Sequence, residues 1–210
     1  MLKKYHLQIT TQALQDFFSP HALQAILAAN LHQDILRNQI HSEFHFDNNN
    51  FAGGNTYIAQ QRQLILEGLA QDQPLAAWEA FGRLTHTVQD FYAHSNYIRL
   101  WLARHAQATP GQIDPQDDTI LDSPKLRSGR LYYPLEVLAF IPGLEPLIKP
   151  FLPRNSHTWM NLDSPRQGPL FDFAVTAARK RTQAELLTIR DKIQSEPGSN
   201  HLSIFIDTLE

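Results

Sequence analysis

Three side chains spaced four residues apart, His86, Asp90 and His94, constrain this chain more than any other feature. They lie in the stretch FGRLTHTVQDFYAHSNY, residues 81–97. A helix turns roughly 100° per residue, so a step of four drifts by about 40° and the three side chains form one stripe, a turn apart. Phe81, Leu84, Val88 and Phe91 fall on the other side with the spacing of a core face. The stretch therefore reads as the middle of a long buried helix with a His-Asp-His ladder opposite its apolar side. Imidazole and carboxylate are the ligands zinc takes where no thiolate is offered. A buried ladder whose members satisfy one another by hydrogen bonds is the competing reading.

Composition narrows the setting. The chain has 210 residues, enough for one domain with a sizeable core, and its 42% hydrophobic and 19% charged content is that of a globular protein. A net charge of −3 argues against an electrostatic grip on nucleic acid. The absence of cysteine excludes disulfides and thiolate metal sites, which leaves ten histidines as the pool for transition-metal ligands. The start, MLKKYHLQITTQ, has two lysines with no apolar run behind them, so it does not read as a secretory signal. The expected location is cytoplasmic, with a secreted mature form as the alternative. No stretch of ~20 uninterrupted apolar residues predicts a transmembrane helix.

The periodicity predicts an all-α, single-domain helical bundle over 1–210 with long connecting loops. Thr10 and Thr11 can cap a helix over 12–18, which leaves His6 in an extended approach. Ser19-Pro20 opens a second helix, with Leu23, Ile26, Leu27, Leu31 and Ile35 at helical spacing and Asp34 near its end. Residues 44–54 (FHFDNNN and the glycines after it) form a loop in which aromatics flank His45 and Asp47 is a lesser candidate ligand. DNNN lacks the spacing of an EF-hand loop. A helix follows over 57–71. Pro74 starts the ladder helix, which is expected to run to about residue 105. Residues 106–130 read as a surface loop. The apolar segment 131–153 contains prolines at 134, 142, 146, 150 and 153, too many for one helix. It is expected to be a crossover that covers the core; an apolar flap near the site, in peripheral contact with lipid, is the alternative. A polar loop over 156–165 carries His157 and Asp163. An amphipathic helix over 170–193 and a tail over 196–210, a turn and a short apolar segment, close the chain.

The candidate ligands His6, Asp34, His45, His86, Asp90, His94, His157 and Asp163 come from separate helices and loops, as metal sites in helical bundles often do. Here the sequence resembles a known group. HTVQDFYAHSNY (86–97) is similar to the motif of Het-C-type proteins, and more distantly to the bacterial zinc-dependent phospholipase C family and its relatives, the zinc nucleases that cut single strands. HLQIT (6–10), ANLHQD (29–34), HFDN (45–48) and HTWMNLDSP (157–165) follow in the order of that group's segments. His94 follows Asp90 by four residues, as in the Het-C branch. Position 161 is Asn where the phospholipases and nucleases have Glu.

The resemblance implies a cluster of one to three zinc ions. His45, His86 and Asp90 would hold one, with Asp34 as ligand and general base. Asp90 would bridge to a second held by His6. His94 and His157 would hold a third, leaning on Asp163. It further implies a zinc-dependent phosphodiesterase, with phospholipid as the leading substrate. The alternatives are a single-strand nuclease on the same core or a non-catalytic metal-binding interaction protein. Nothing in the sequence indicates an oligomeric state.

Overall fold

The computed structural model describes residues 1–141, 143–195 and 200–208. Twelve α-helices run through them: α1 Lys3–Leu14, α2 Pro20–His32, α3 Ser42–His45, α4 Phe51–Ala70, α5 Pro74–His94, α6 Tyr97–Leu102, α7 Asp118–Leu121, α8 Leu135–Ala139, α9 Glu145–Ile148, α10 His157–Met160, α11 Leu170–Gln194 and α12 His201–Ile206. Among the described residues there is no β-strand, only isolated bridges between Ser95 and Ser128 and between Arg130 and Ser156. The all-α, single-domain expectation holds. The turn expected at 196–199 and Pro142 lie outside the described residues.

Helix α5 is the axis. Pro74 occupies its first turn, where the missing N–H costs nothing. From Leu84 to His94 every residue is buried. α2, α4 and α11 pack around it. The approach of α2 is closest at Gly82, where a Cβ would collide with the carbonyl oxygen of Ile26 and come within 3.0 Å of Asn30 N. That contact lies one turn before His86, so the absence of a side chain at 82 brings α2 alongside the start of the ladder.

Several local expectations are corrected. α1 begins at Lys3, not at residue 12, so His6 is helical and not in an extended approach. Thr10 sits buried inside the helix, where its hydroxyl accepts from Gln89 Nε2 at 2.8 Å. Tertiary burial outweighs the capping preference of a Thr pair. The ladder helix stops at His94 and does not reach 105: Ser95 is extended, and its Oγ accepts from Tyr97 N. Asn96 pairs with the backbone of Arg127 and Lys125. Such local side-chain bonds compete with the helical ladder. Ser19 behaves as expected, its Oγ accepting from Ala22 N at 3.1 Å.

The segment 131–153 does not cover the core. It is broken into α8, α9 and a 3₁₀ turn, and most of its large apolar side chains face outward.

Candidate metal centre

Each expected ligand is brought alongside the α5 ladder, although the elements that deliver them are far apart in the chain. α1 carries His6. Asp34 lies in the turn after α2. α3 ends at His45, and the next residue, Phe46, takes a left-handed conformation with φ 56°. Asn48 and Asn49 are left-handed too, with φ 60° and 58°, a conformation that asparagine tolerates better than most residues. This reversal turns both His45 and Asp47 inward. The asparagine run then zips onto residues 128–131: Asn48 N donates to Gly129 O at 2.7 Å, Leu131 N to Asn48 Oδ1 at 2.9 Å and Ser128 N to Asn49 Oδ1 at 2.8 Å. Gly129 in turn lies against His157, whose Cα would be 2.6 Å from a Cβ there.

Asp90 is the hub. Its Oδ2 lies 2.8 Å from His45 Nδ1 and 3.0 Å from His86 Nε2, and those two nitrogens are 3.2 Å apart. Its Oδ1 faces a different set: His6 Nε2 at 3.1 Å, the Met1 amino group at 2.6 Å and His94 Nε2 at 3.8 Å. Asp34 Oδ1 is 3.8 Å from His86 Nε2. A third grouping forms where Asp163 Oδ1 meets His94 Nε2 at 3.2 Å and Asp163 Oδ2 approaches His157 Nε2 at 3.6 Å.

The surroundings set which ring nitrogens are free to coordinate. The Gln89 amide donates to Thr10 and Thr182, so its carbonyl oxygen accepts from His6 Nδ1 at 2.7 Å. The backbone oxygen of His45 accepts from His94 Nδ1 at 2.8 Å. Asp47 Oδ1 takes His157 Nδ1 at 3.0 Å. Each acceptor fixes a proton on Nδ1 and leaves Nε2 of His6, His94 and His157 turned into the cluster, as outer-sphere partners of metal-bound imidazoles do. Asp47 can be grouped with His94 and His157 by distance alone. It faces their protonated sides, so it orients them, and Asp163 stands on the ligating side. The sequence offered Asp47 only as a lesser candidate ligand, on its place two residues after His45, and gave no sign of this orienting role.

The carboxylates of the cluster are held ionised, as ligands of a cation must be. Burial would raise the Asp90 carboxyl, but the Met1 ammonium, His94, His86 and His6 outweigh it and hold it well below the usual carboxylate range. Asp163 and Asp47 are likewise held down, against burial, by the amino group and the histidines around them. Burial, with His6 beside it, lowers His86 to about 4, so that imidazole is neutral at pH 7. Burial would lower His45 and His157 too, but the hydrogen bond His45 donates to Asp90 and the charge of Asp47 respectively raise them. The Met1 ammonium is raised to about 11 against its burial, chiefly by Asp163 and Asp90. Of the three buried ring nitrogens without a hydrogen-bond partner, His6 Nε2 faces Asp90, while His45 Nε2 and His86 Nδ1 are the ring atoms opposite those that face it. His6 Nε2 is near Asp90 Oδ1 without being directed at it. Two electron-rich atoms that close, without a bond between them, fit a shared cation. Zinc with ligands at ~2.0–2.2 Å in a tetrahedron sets its ligand atoms roughly 3.3 Å apart, close to the spacing around Asp90 Oδ2.

A cleft of about 570 Å³ opens onto His157 and Asp163, with Lys4 and Arg166 among its lining residues and Phe140 and Ile141 on its apolar side. A smaller cavity of about 300 Å³, walled by Phe46, Phe51, Val88 and Phe91, lies on the apolar side of α5, and no histidine lines it.

Residues 4–110, which carry α1 to α6 and the whole ladder, match the family described as the VWA7 N-terminal domain. The chain belongs to that family. This corrects the resemblance drawn from the motifs: the VWA7 N-terminal domain is not the Het-C, phospholipase C or zinc nuclease group, and hydrolase and phospholipase C-like do not carry over by kinship. The physical reason is that ligand spacing in a buried helix is dictated by helix geometry, so His-x₃-Asp-x₃-His recurs without common descent. The outer motifs were short, and Asn161 already departed from that group's pattern. No curated protein and no solved structure matches the chain.

Proposed function

We propose that this VWA7 N-terminal domain is a zinc-binding module. His45, His86 and Asp90, with Asp34, form one binding set; His6 and the other oxygen of Asp90 form a second; His94, His157 and Asp163 form a third. The observation that carries this reading is the convergence of buried imidazoles on the two oxygens of one carboxylate, with His6 Nε2 beside Asp90 Oδ1 left without a hydrogen-bond partner. Metal analysis of the purified full chain tests it. The expected result is one to three zinc per chain, with loss of bound metal in His86→Ala and Asp90→Asn. Full metal content in either variant would refute the ligand sets.

A second reading, hydrolysis of a phosphodiester, rests on the open cleft and on Asp34. Bound zinc supplies a Lewis acid for a phosphoryl oxygen and acidifies water to a pKa near 7. Asp34, 14% exposed beside His86, would be the residue to orient such a water and take its proton. Lys4 and Arg166 supply positive charge at the cleft for an anionic substrate. A chromogenic phosphodiester, a phosphatidylcholine emulsion and single-stranded DNA, assayed with and without chelator, test this reading. Activity that survives chelation counts against it, as does a zinc-loaded protein inert on all three substrates. The latter result leaves the metal reading standing.

A further inference from the structure

Half of the large apolar side chains left exposed among the described residues fall within 133–151, Tyr133, Val137, Phe140, Ile141, Leu147 and Phe151 among them. Leu147 is 66% and Phe151 75% exposed. Concentration on one short segment separates these from the single surface hydrophobics every protein carries. The segment is not slack. Buried Glu136 accepts from Thr158 N and Oγ1, both at 2.6 Å. Trp159 Nε1 donates to Lys149 O at 2.9 Å and Leu152 O at 3.1 Å. Its underside is clamped by polar bonds while its upper side presents hydrocarbon.

The charges at its border are basic. Arg154 stacks on Trp159 at 3.8 Å and Lys149 lies over the same ring at 4.9 Å; Arg130 is exposed at the segment's start. Glu136 is buried, and Glu145 is engaged by Lys149 at 3.3 Å. Lys149 and Glu145 offset one another, so the excess positive charge at the segment rests on Arg130 and Arg154, a local departure on a chain of net charge −3. Apolar side chains edged by Trp, Tyr, Lys and Arg suit a membrane interface, where hydrocarbon enters and cations stay at the headgroups. A second copy of the same surface would oppose its own cations. No helix of the described residues is long and apolar enough to cross a membrane, so contact of this kind is peripheral.

We propose that residues 131–154 dock the domain onto an anionic lipid bilayer, with Leu147 and Phe151 entering the headgroup–acyl boundary. Phe140, whose ring lies 5.4 Å from that of His157, then brings the cleft close to the lipid surface. The proposal does not rest on the metal reading.

The test is co-flotation of the full chain with vesicles of phosphatidylcholine containing phosphatidylserine, or of phosphatidylcholine alone. Binding to the anionic vesicles is expected, weakening with added salt and at least about tenfold weaker to the neutral ones. Leu147→Ser and Phe151→Ser each lower affinity by about tenfold while the circular dichroism spectrum stays unchanged. Chelator leaves binding intact. Three results would overturn the proposal: no binding to anionic vesicles, equal binding by the double variant, or binding that chelator abolishes. A concentration-dependent dimer that the double variant dissolves, without vesicle binding, would assign the surface to self-association instead.

Discussion

At the scale of single residues, Asp90 and Asp47 do different work. Asp90 is fully buried with cations and imidazoles on both oxygens. Asp90→Asn removes the charge that balances them. The metal-free protein is expected to lose on the order of 3–5 kcal/mol, read by denaturant unfolding in chelator, and the metal analysis falls with it. Asp47 meets His157 Nδ1, the side away from the cluster. Asp47→Ala is expected to keep the ligands and weaken zinc affinity by roughly 10–100-fold, measured by competition with a chelating dye. Unchanged affinity would show that the loop backbone alone orients His157.

At the scale of elements, the packing of α2 on α5 depends on Gly82. Gly82→Ala forces a methyl group into the α2 backbone and is expected to cost about 1–3 kcal/mol in thermal unfolding. The helices that carry periodic apolar faces, α2, α4, α5 and α11, were legible from spacing, as was the cap at Ser19. The ladder on α5 was legible for the same reason: ligands one turn apart leave a local pattern. Asp47 was not, because its role depends on a left-handed turn at Phe46 and on the pairing of Asn48 and Asn49 with residues 128–131, both of which are non-local. The start of α1 and the end of α5 were misplaced for a related reason. Tertiary burial holds Thr10 in a helix, and a pairing with Arg127 breaks one after His94. Short motifs were also a poor guide to kinship, since helix geometry alone repeats them.

At the scale of the whole molecule, the centre links stability to pH with opposite signs in its two states. In the metal-free protein His45 and His157 are raised above the ordinary 6.5, so the stability they contribute is full below that value and lost as pH rises through their folded values. His86, lowered to about 4, acts the other way only below 6.5. Chelated protein should therefore become less stable as pH rises from about 6.5 to 8, while zinc-loaded protein gains because bound imidazoles must shed protons. Calorimetry of both forms across that range checks the divergence; parallel curves would contradict it. The shared carboxylate of Asp90 has one more consequence. If zinc binds as proposed, ions on its two oxygens would share one ligand, so filling either site would change the charge felt at the other. A zinc titration of the full chain should then fit coupled sites and not independent ones.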